Sequence, residues 1–219
     1  VLLSDKHIDL YDTSSIKMAV EKNEYEICKL FLNDPKTSQI NTYKIGYELI
    51  FRAIELNHIE TFKVLLNDSR IPRTQKIIQY CVQHKRHKII KILLKSLYYG
   101  SIIIKMQRSI NIIEFAILEH DLIMVDILLS DGRFNPAICD NYNIQLAAET
   151  NQYLIMERLL KDRRCDPTAN CHFCVKEAMG HSDTNILKQL IIDNRIDLTF
   201  DNNNIMKIAA GTSNMEIIK

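Results

Sequence analysis

The stretch Leu146-Ala147-Ala148-Glu149-Thr150-Asn151, closed further on by Leu159-Leu160, decides how this chain is built. A small residue opens the block, polar residues follow it within one turn, and an apolar pair ends it. The block recurs. With the small residue taken as position zero, the anchors are Ala19, Ala53, Cys81, Ala116, Ala147, Ala178 and Ala209, spaced by 28 to 35 residues. Three residues before them stand Ile16, Ile50, Ile78, Ile113, Ile144, Val175 and Met206. Nine residues after them stand Cys28, Phe62, Ile90, Val125, Met156, Leu187 and Ile218. Positions +12 and +13 read Phe31-Leu32, Leu65-Leu66, Leu93-Leu94, Leu128-Leu129, Leu159-Leu160 and Leu190-Ile191. Self-similarity at such a period is the mark of a repeat architecture.

The physics of one unit follows from the spacing. Positions −3, 0 and +1 share one face of a short helix, and positions +8, +9, +12 and +13 form an apolar stripe on a second. Near +4 stand Asn23, Asn57, His120, Asn151, Ser182 and Ser213. Asn tolerates the left-handed conformation that ends a helix. After the second helix comes Asp-x-Arg, at Asp68, Asp131, Asp162 and Asp193, where Asp favours a turn by bonding its own backbone downstream. Repeat three breaks this with Ser96. Each unit therefore reads helix, turn, helix, loop. None can bury its stripe alone, so neighbours must stack, and small anchors let their helices approach.

This order and spacing resemble the ankyrin repeat over essentially the whole chain. Leu146-Ala147-Ala148 with Leu159-Leu160 is similar to the family's Leu-Ala-Ala…Leu-Leu core, and Asn57-His58-Ile59-Glu60 to its Gly-His-x-Glu turn. Two features depart from the pattern. No copy carries the Thr-Pro-Leu-His opening, and Asp162 to Pro167 replaces the family's Gly-Ala-Asp-x-Asn loop. The resemblance implies an all-α fold, an α-solenoid of stacked ankyrin-type helix-turn-helix repeats. We expect about fourteen helices, almost no sheet, and a single array over residues 1–219. Val1-Leu2-Leu3-Ser4-Asp5 fits positions +11 to +15, and Lys219 falls at +10 of the seventh unit, so the array is expected to continue past both ends. The apolar run near residues 96–110 predicts a kink or change of curvature rather than a linker.

Composition excludes several classes of function. With a formal net charge of +1 there is no global attraction to nucleic acid or to a membrane surface. No apolar run reaches the ~18 residues that span a bilayer. Six cysteines in 219 residues do not suggest a disulfide scaffold, so a reducing, intracellular and cytoplasmic setting is expected. There is no Gly-x-Ser-x-Gly, no phosphate-binding glycine loop and no His-Glu-x-x-His, and the chain is not read as an enzyme. No cofactor is expected.

Two clusters carry a rival chemistry. Cys171-His172-Phe173-Cys174, with Cys165 and His181 nearby, has one short ligand pair where zinc sites use two. Cys165 also occupies the slot held by Ile71, Phe134 and Ile196, so packing is the preferred account and no metal is assigned. The run Gln83-His84-Lys85-Arg86-His87-Lys88 could meet phosphates, but its register makes it a solvated turn between helices.

A protein–protein interaction scaffold is therefore the leading reading, monomeric in its full-length form. The alternative is the substrate-targeting arm of a larger enzyme or ubiquitin-ligase adaptor. Positions +2 and +3 follow the two buried positions and should face the partner on the concave side that the resemblance implies. They are mostly polar, but Leu56 and Leu118 are apolar and lie in units adjacent to that of His84. We take Glu55, Leu56, His84, Leu118, Glu119 and Glu149 as partner-binding candidates, with Tyr43 and Tyr142 at the loop tips.

Overall fold

The computed structural model describes residues 13–34, 42–96, 99–106, 111–181 and 183–197, together with residues 199 and 207. These residues form thirteen helices, and no strand occurs among them. Twelve of the helices are the pairs expected from the first six anchors. They are α1 (Ser14–Glu21) with α2 (Tyr25–Asn33), α3 (Thr42–Glu55) with α4 (Ile59–Asn67), and α5 (Gln75–Gln83) with α6 (His87–Lys95). After α7 (Gly100–Met106) come α8 (Ile112–Leu118) with α9 (Leu122–Asp131), α10 (Ile138–Glu149) with α11 (Tyr153–Leu160), and α12 (Ala169–Gly180) with α13 (Asn185–Ile192). The chain divides into two compact units, Val1–Ile102 and Ile103–Lys219, each a stack of three such pairs.

Most of the expected core is the observed one, but at +13 only Leu66 and Leu129 are buried, while Leu32, Leu94, Leu160 and Ile191 are half-buried. The six anchors are at most 5% exposed, and the residues at −3 and +9 are buried in all six units. Position +8 holds Thr61, Ile89, Met124, Ile155 and Ile186, all buried, but Ile27 is 43% exposed. The slot at +18 holds Ile71, Phe134, Cys165 and Ile196, all buried. Val1–Asp5, Ser182 and the seventh unit around Ala209 lie outside the described residues.

The helix that the repeat does not predict is α7. Asp-x-Arg is missing after α6, and the apolar Ile102 and Ile103 continue as helix instead of turning. Tyr99, just before it, is fully buried, and burial raises its phenol pKa.

The turn between paired helices is built the same way five times. Asn23, Asn57, Lys85, His120 and Asn151, each at +4, have φ between 52° and 59°. The N–H at +5 reaches back to the anchor carbonyl: Glu24 to Ala19, His58 to Ala53, Arg86 to Cys81, Asp121 to Ala116 and Gln152 to Ala147, at 2.8–2.9 Å. The N–H at +4 reaches the carbonyl at +1, as from Asn57 to Ile54 at 3.0 Å. This is a Schellman cap, and it satisfies carbonyls that the helix end would otherwise leave open. Lys85 and His120 hold the left-handed position without the help an Asn side chain gives.

Candidate partner-binding site

Within each unit, side chains and loops tie one repeat to the one before it. At +5, a polar side chain bonds the +1 carbonyl of the preceding repeat. His58 Nδ1 lies 2.9 Å from the Val20 carbonyl, Arg86 Nε donates to Ile54 at 2.8 Å, and Gln152 Nε2 donates to Ile117 at 2.9 Å. His181 does the same at +3, with Nε2 3.0 Å from the Ala148 carbonyl.

The Asp-x-Arg loop does more than turn the chain. The Asp193 carboxylate accepts from the Arg195 backbone N–H at 3.0 Å and from its guanidinium at 2.8 and 2.5 Å. Held this way, the guanidinium donates to the carbonyls of Cys165 and Leu160 in the preceding repeat, at 2.7 and 2.9 Å. Arg164, held by Asp162, reaches Gly132 and Phe134 at 3.0 Å, and Arg70, held by Asp68, reaches Leu32 at 2.6 Å. Leu32 and Leu160 are at the C-terminal ends of α2 and α11, where carbonyls lack partners and attract cations. The guanidinium hydrogen bonds hold the Asp162 and Asp193 carboxyls below the usual range. Around Asp68, burial pushes the other way, and the Arg70 contacts outweigh it. Sequence reading gave the Asp its turn role but missed the Arg. Its recurrence two residues after four Asp was the available signal.

In the first unit, His84 belongs to an aromatic row and Glu55 is bonded to it. Tyr47 and Phe51 on α3 have ring centroids 5.7 Å apart, Phe51 and Tyr80 are 4.6 Å apart, and Tyr80 and His84 are 4.0 Å apart. All four side chains are half-buried. Exposed Glu55 accepts from Arg52 at 3.0 Å and from Tyr80 at 3.2 Å, and these bonds hold its carboxyl below the usual range. Arg52 also faces Glu21 at 3.4 Å, and Lys17 pairs with Glu48 at 2.8 Å. Together with Val20, Leu49 and Phe51, these charges line a cleft of about 380 Å³ between α1 and α3. Leu56 is half-buried rather than fully exposed, in the turn after α3. The row's other members, Tyr47, Phe51 and Tyr80, were not among the sequence candidates. The i,i+4 spacing of Tyr47 and Phe51 puts both on one helix face and would have found them.

In the second unit, Leu118 ends α8 and is 50% exposed, with exposed Glu119 beside it. Glu149 ends α10 and is exposed, and Tyr142 on the same helix is 37% exposed. Tyr43 is in α3, and its side chain lies outside the described residues, as does that of Cys171. Leu56 and His84 thus belong to one compact unit and Leu118, Glu119 and Glu149 to the other.

Cys165 and Cys174 are 2% and 1% exposed, and burial pushes both thiols up to about 12. A thiol so placed is a small hydrophobe rather than a ready thiolate ligand. Among the described residues, no group of three His, Cys, Asp or Glu is arranged to hold a metal ion. Nor is any described helix long and apolar enough to cross a membrane.

Residues 16–106 match the family model for ankyrin repeats (3 copies). Comparisons with curated proteins and with solved structures returned no match. The match covers α1 to α7; the same register and loops continue from α8 to α13, and the same cap closes α8 and α10. Residues 16–106 are ankyrin repeats.

Proposed function

We propose that the chain is a scaffold that holds a protein partner on the surface of its first helices, α1, α3 and α5 in one unit and α8, α10 and α12 in the other. Ankyrin repeats are as a rule protein–protein interaction modules without enzymatic activity of their own. The observation that carries the reading is the row Tyr47–Phe51–Tyr80–His84, with the cleft beside it. Half-exposed aromatic rings next to carboxylates are the composition of interface centres, where flat apolar area is buried at low entropic cost. Leu118 with Glu119, and Tyr142 with Glu149, extend the same chemistry to the second unit. Within each unit the partner meets a surface whose repeats are bonded to one another.

The test is capture from a cell extract by the immobilised chain, compared with the variant Glu55→Lys with Leu118→Ser. Both sites are exposed, so folding should be unchanged by circular dichroism and thermal unfolding. The expected result is a small set of retained proteins that the variant loses. If nothing is retained, or if the folded variant retains the same set, this surface is not the binding site.

A further inference from the structure

Charge is distributed unevenly along this nearly neutral chain. Residues 69–113 contain ten Lys or Arg and no Asp or Glu, whereas the whole chain has 28 against 27. The rest of the molecule is therefore acidic on balance, and the basic excess is concentrated in the third repeat.

The excess has a defined face. Positions +7, +10 and +14 are on the outer side of each second helix. In the first repeat they read Glu26, Lys29 and Asn33, and in the second Glu60, Lys63 and Asn67, all exposed. There the two charges cancel, and Lys63 Nζ lies 2.7 Å from Glu60. In α6 the same three positions are Lys88, Lys91 and Lys95, all exposed, and none has an acidic partner among the described residues. Lysines at i,i+3 and i,i+4 repel one another, so this arrangement costs the helix stability. The opposite face of α6, Ile89, Ile90 and Leu93, is fully buried and accounts for the folding of the helix without them.

We propose that the Lys88–Lys91–Lys95 face binds an acidic helical segment of a protein partner. The inference rests on the protein-binding reading and adds a second surface, with the chemistry of what it takes. The three ammonium groups span about 10 Å of helix, the pitch at which carboxylates at i, i+3 or i+4, and i+7 repeat on another helix. Duplex nucleic acid fits less well. Its binding neutralises about 6–10 phosphates, and base recognition uses arginine forks or stacked rings. Here Arg86 is spent on the Ile54 and Glu55 carbonyls, and the one ring on α6, that of His87, is half-buried. A lipid surface would need an apolar anchor, and the apolar side of α6 is in the core.

The experiment uses the whole chain and a labelled Ala/Glu peptide of about 20 residues, long enough to be helical. Its Glu are at i, i+4 and i+7, and a Gln version serves as control. Lys88→Glu with Lys95→Asn restores the pattern of the first two repeats. Lys22→Glu with Lys29→Asn makes the same change in net charge on exposed residues elsewhere. Fluorescence anisotropy should show binding of the Glu peptide alone, weakening as salt rises. The α6 variant should bind about tenfold more weakly, the effect of losing several exposed pairs, while the control variant changes little. Equal weakening in both variants would reduce the effect to net charge and overturn the proposal. So would absence of binding by the native chain, tighter variant-sensitive binding of duplex DNA, or variant-sensitive self-association. Capture lost through Glu55 and Leu118 with peptide binding intact separates this surface from the first-helix one.

Discussion

The two units build the same repeat but hold it together with different side chains. In the first, position −4 of the second and third repeats is apolar: Leu49 and Ile77 are buried, and α3 meets α5 through the Phe51–Tyr80 ring contact. In the second, the same position in the fifth repeat is Asn143, fully buried. Its amide nitrogen donates to the Pro136 carbonyl at 2.8 Å, and its oxygen accepts from Asn111 at 2.8 Å. Gln145 continues the network, donating to the Asp140 carbonyl at 2.6 Å and accepting from Asn170 at 3.3 Å. Of the six buried polar residues among the described residues, only Thr61 belongs to the first unit. The comparison teaches that the repeat fixes the backbone path and leaves the means of adhesion open. An apolar contact tolerates small shifts, whereas a buried amide must be satisfied where it stands.

The largest effect should come from the apolar side. Phe62→Ala removes a fully buried ring at +9 and should destabilise the chain by about 3–5 kcal/mol in urea unfolding. A loss below ~1 kcal/mol would mean that the first unit does not depend on this core. Next comes the amide network. Asn143→Leu strands the Asn111 amide and the Pro136 carbonyl and should cost about 2–4 kcal/mol. Adding Asn111→Leu removes the stranded donor and should recover part of that cost. If the double variant is no better than the single, the network cannot be exchanged for an apolar contact of the kind the first unit uses.

Overpacking tests a feature common to both units. Ala147 is fully buried, and Ala147→Leu should cost ~1–3 kcal/mol as adjacent helices are forced apart. Arg195→Lys should cost about 1 kcal/mol, since a lysine cannot hold Asp193 and reach two carbonyls at once. The same contacts set a pH dependence. Asp162 and Asp193 have folded pKa values below their unfolded ones, so the stability they contribute is complete above the unfolded value near ~4. It is lost as pH falls through the folded values. Acid titration of the Arg164→Ala and Arg195→Ala double variant should show a shallower decline than that of the native chain. The smallest effect is a gain. Lys85→Gly should stabilise by up to ~1 kcal/mol by relieving a left-handed lysine, and Asn57→Gly should change little.

The six helix pairs, their buried positions and the left-handed turns were legible because they repeat. A buried position recurring six times leaves a pattern that one sequence can reveal, and Asn23, Asn57 and Asn151 marked three of the turns outright. What does not repeat was not legible. Nothing in the register announces α7, since the apolar run from Ile102 has no Asp-x-Arg to stop it. Three consecutive left-handed residues, Cys139, Asp140 and Asn141, open α10 with φ of 52–62°; Asp140 and Asn141 are of types that visit this region, but Cys139 is not. The partner-binding residues stood between these cases. Glu55, Leu118, Glu119, Glu149 and Tyr142 are exposed as expected, but the aromatic row beside Glu55 depends on which rings stack across helices. That is a tertiary fact, not a periodic one.

The side-chain bonds to backbone carbonyls that join the repeats within each unit point one way. His58, Arg70, Arg86, Gln152, Arg164, His181 and Arg195 all present their side chains to carbonyls that came earlier in the chain. Synthesis also runs from the N-terminus, at about 5–20 residues per second, so an earlier repeat has seconds in which to form before the next emerges. Its helix-end carbonyls are then already in place when the incoming Arg or His arrives. Within a unit each repeat is a template for its successor, although Lys17 and Asn111 also reach forward to the repeat that follows. Growth on the ribosome therefore adds one bonded layer at a time, and the exposed carbonyls of the newest layer are the landing place for the next.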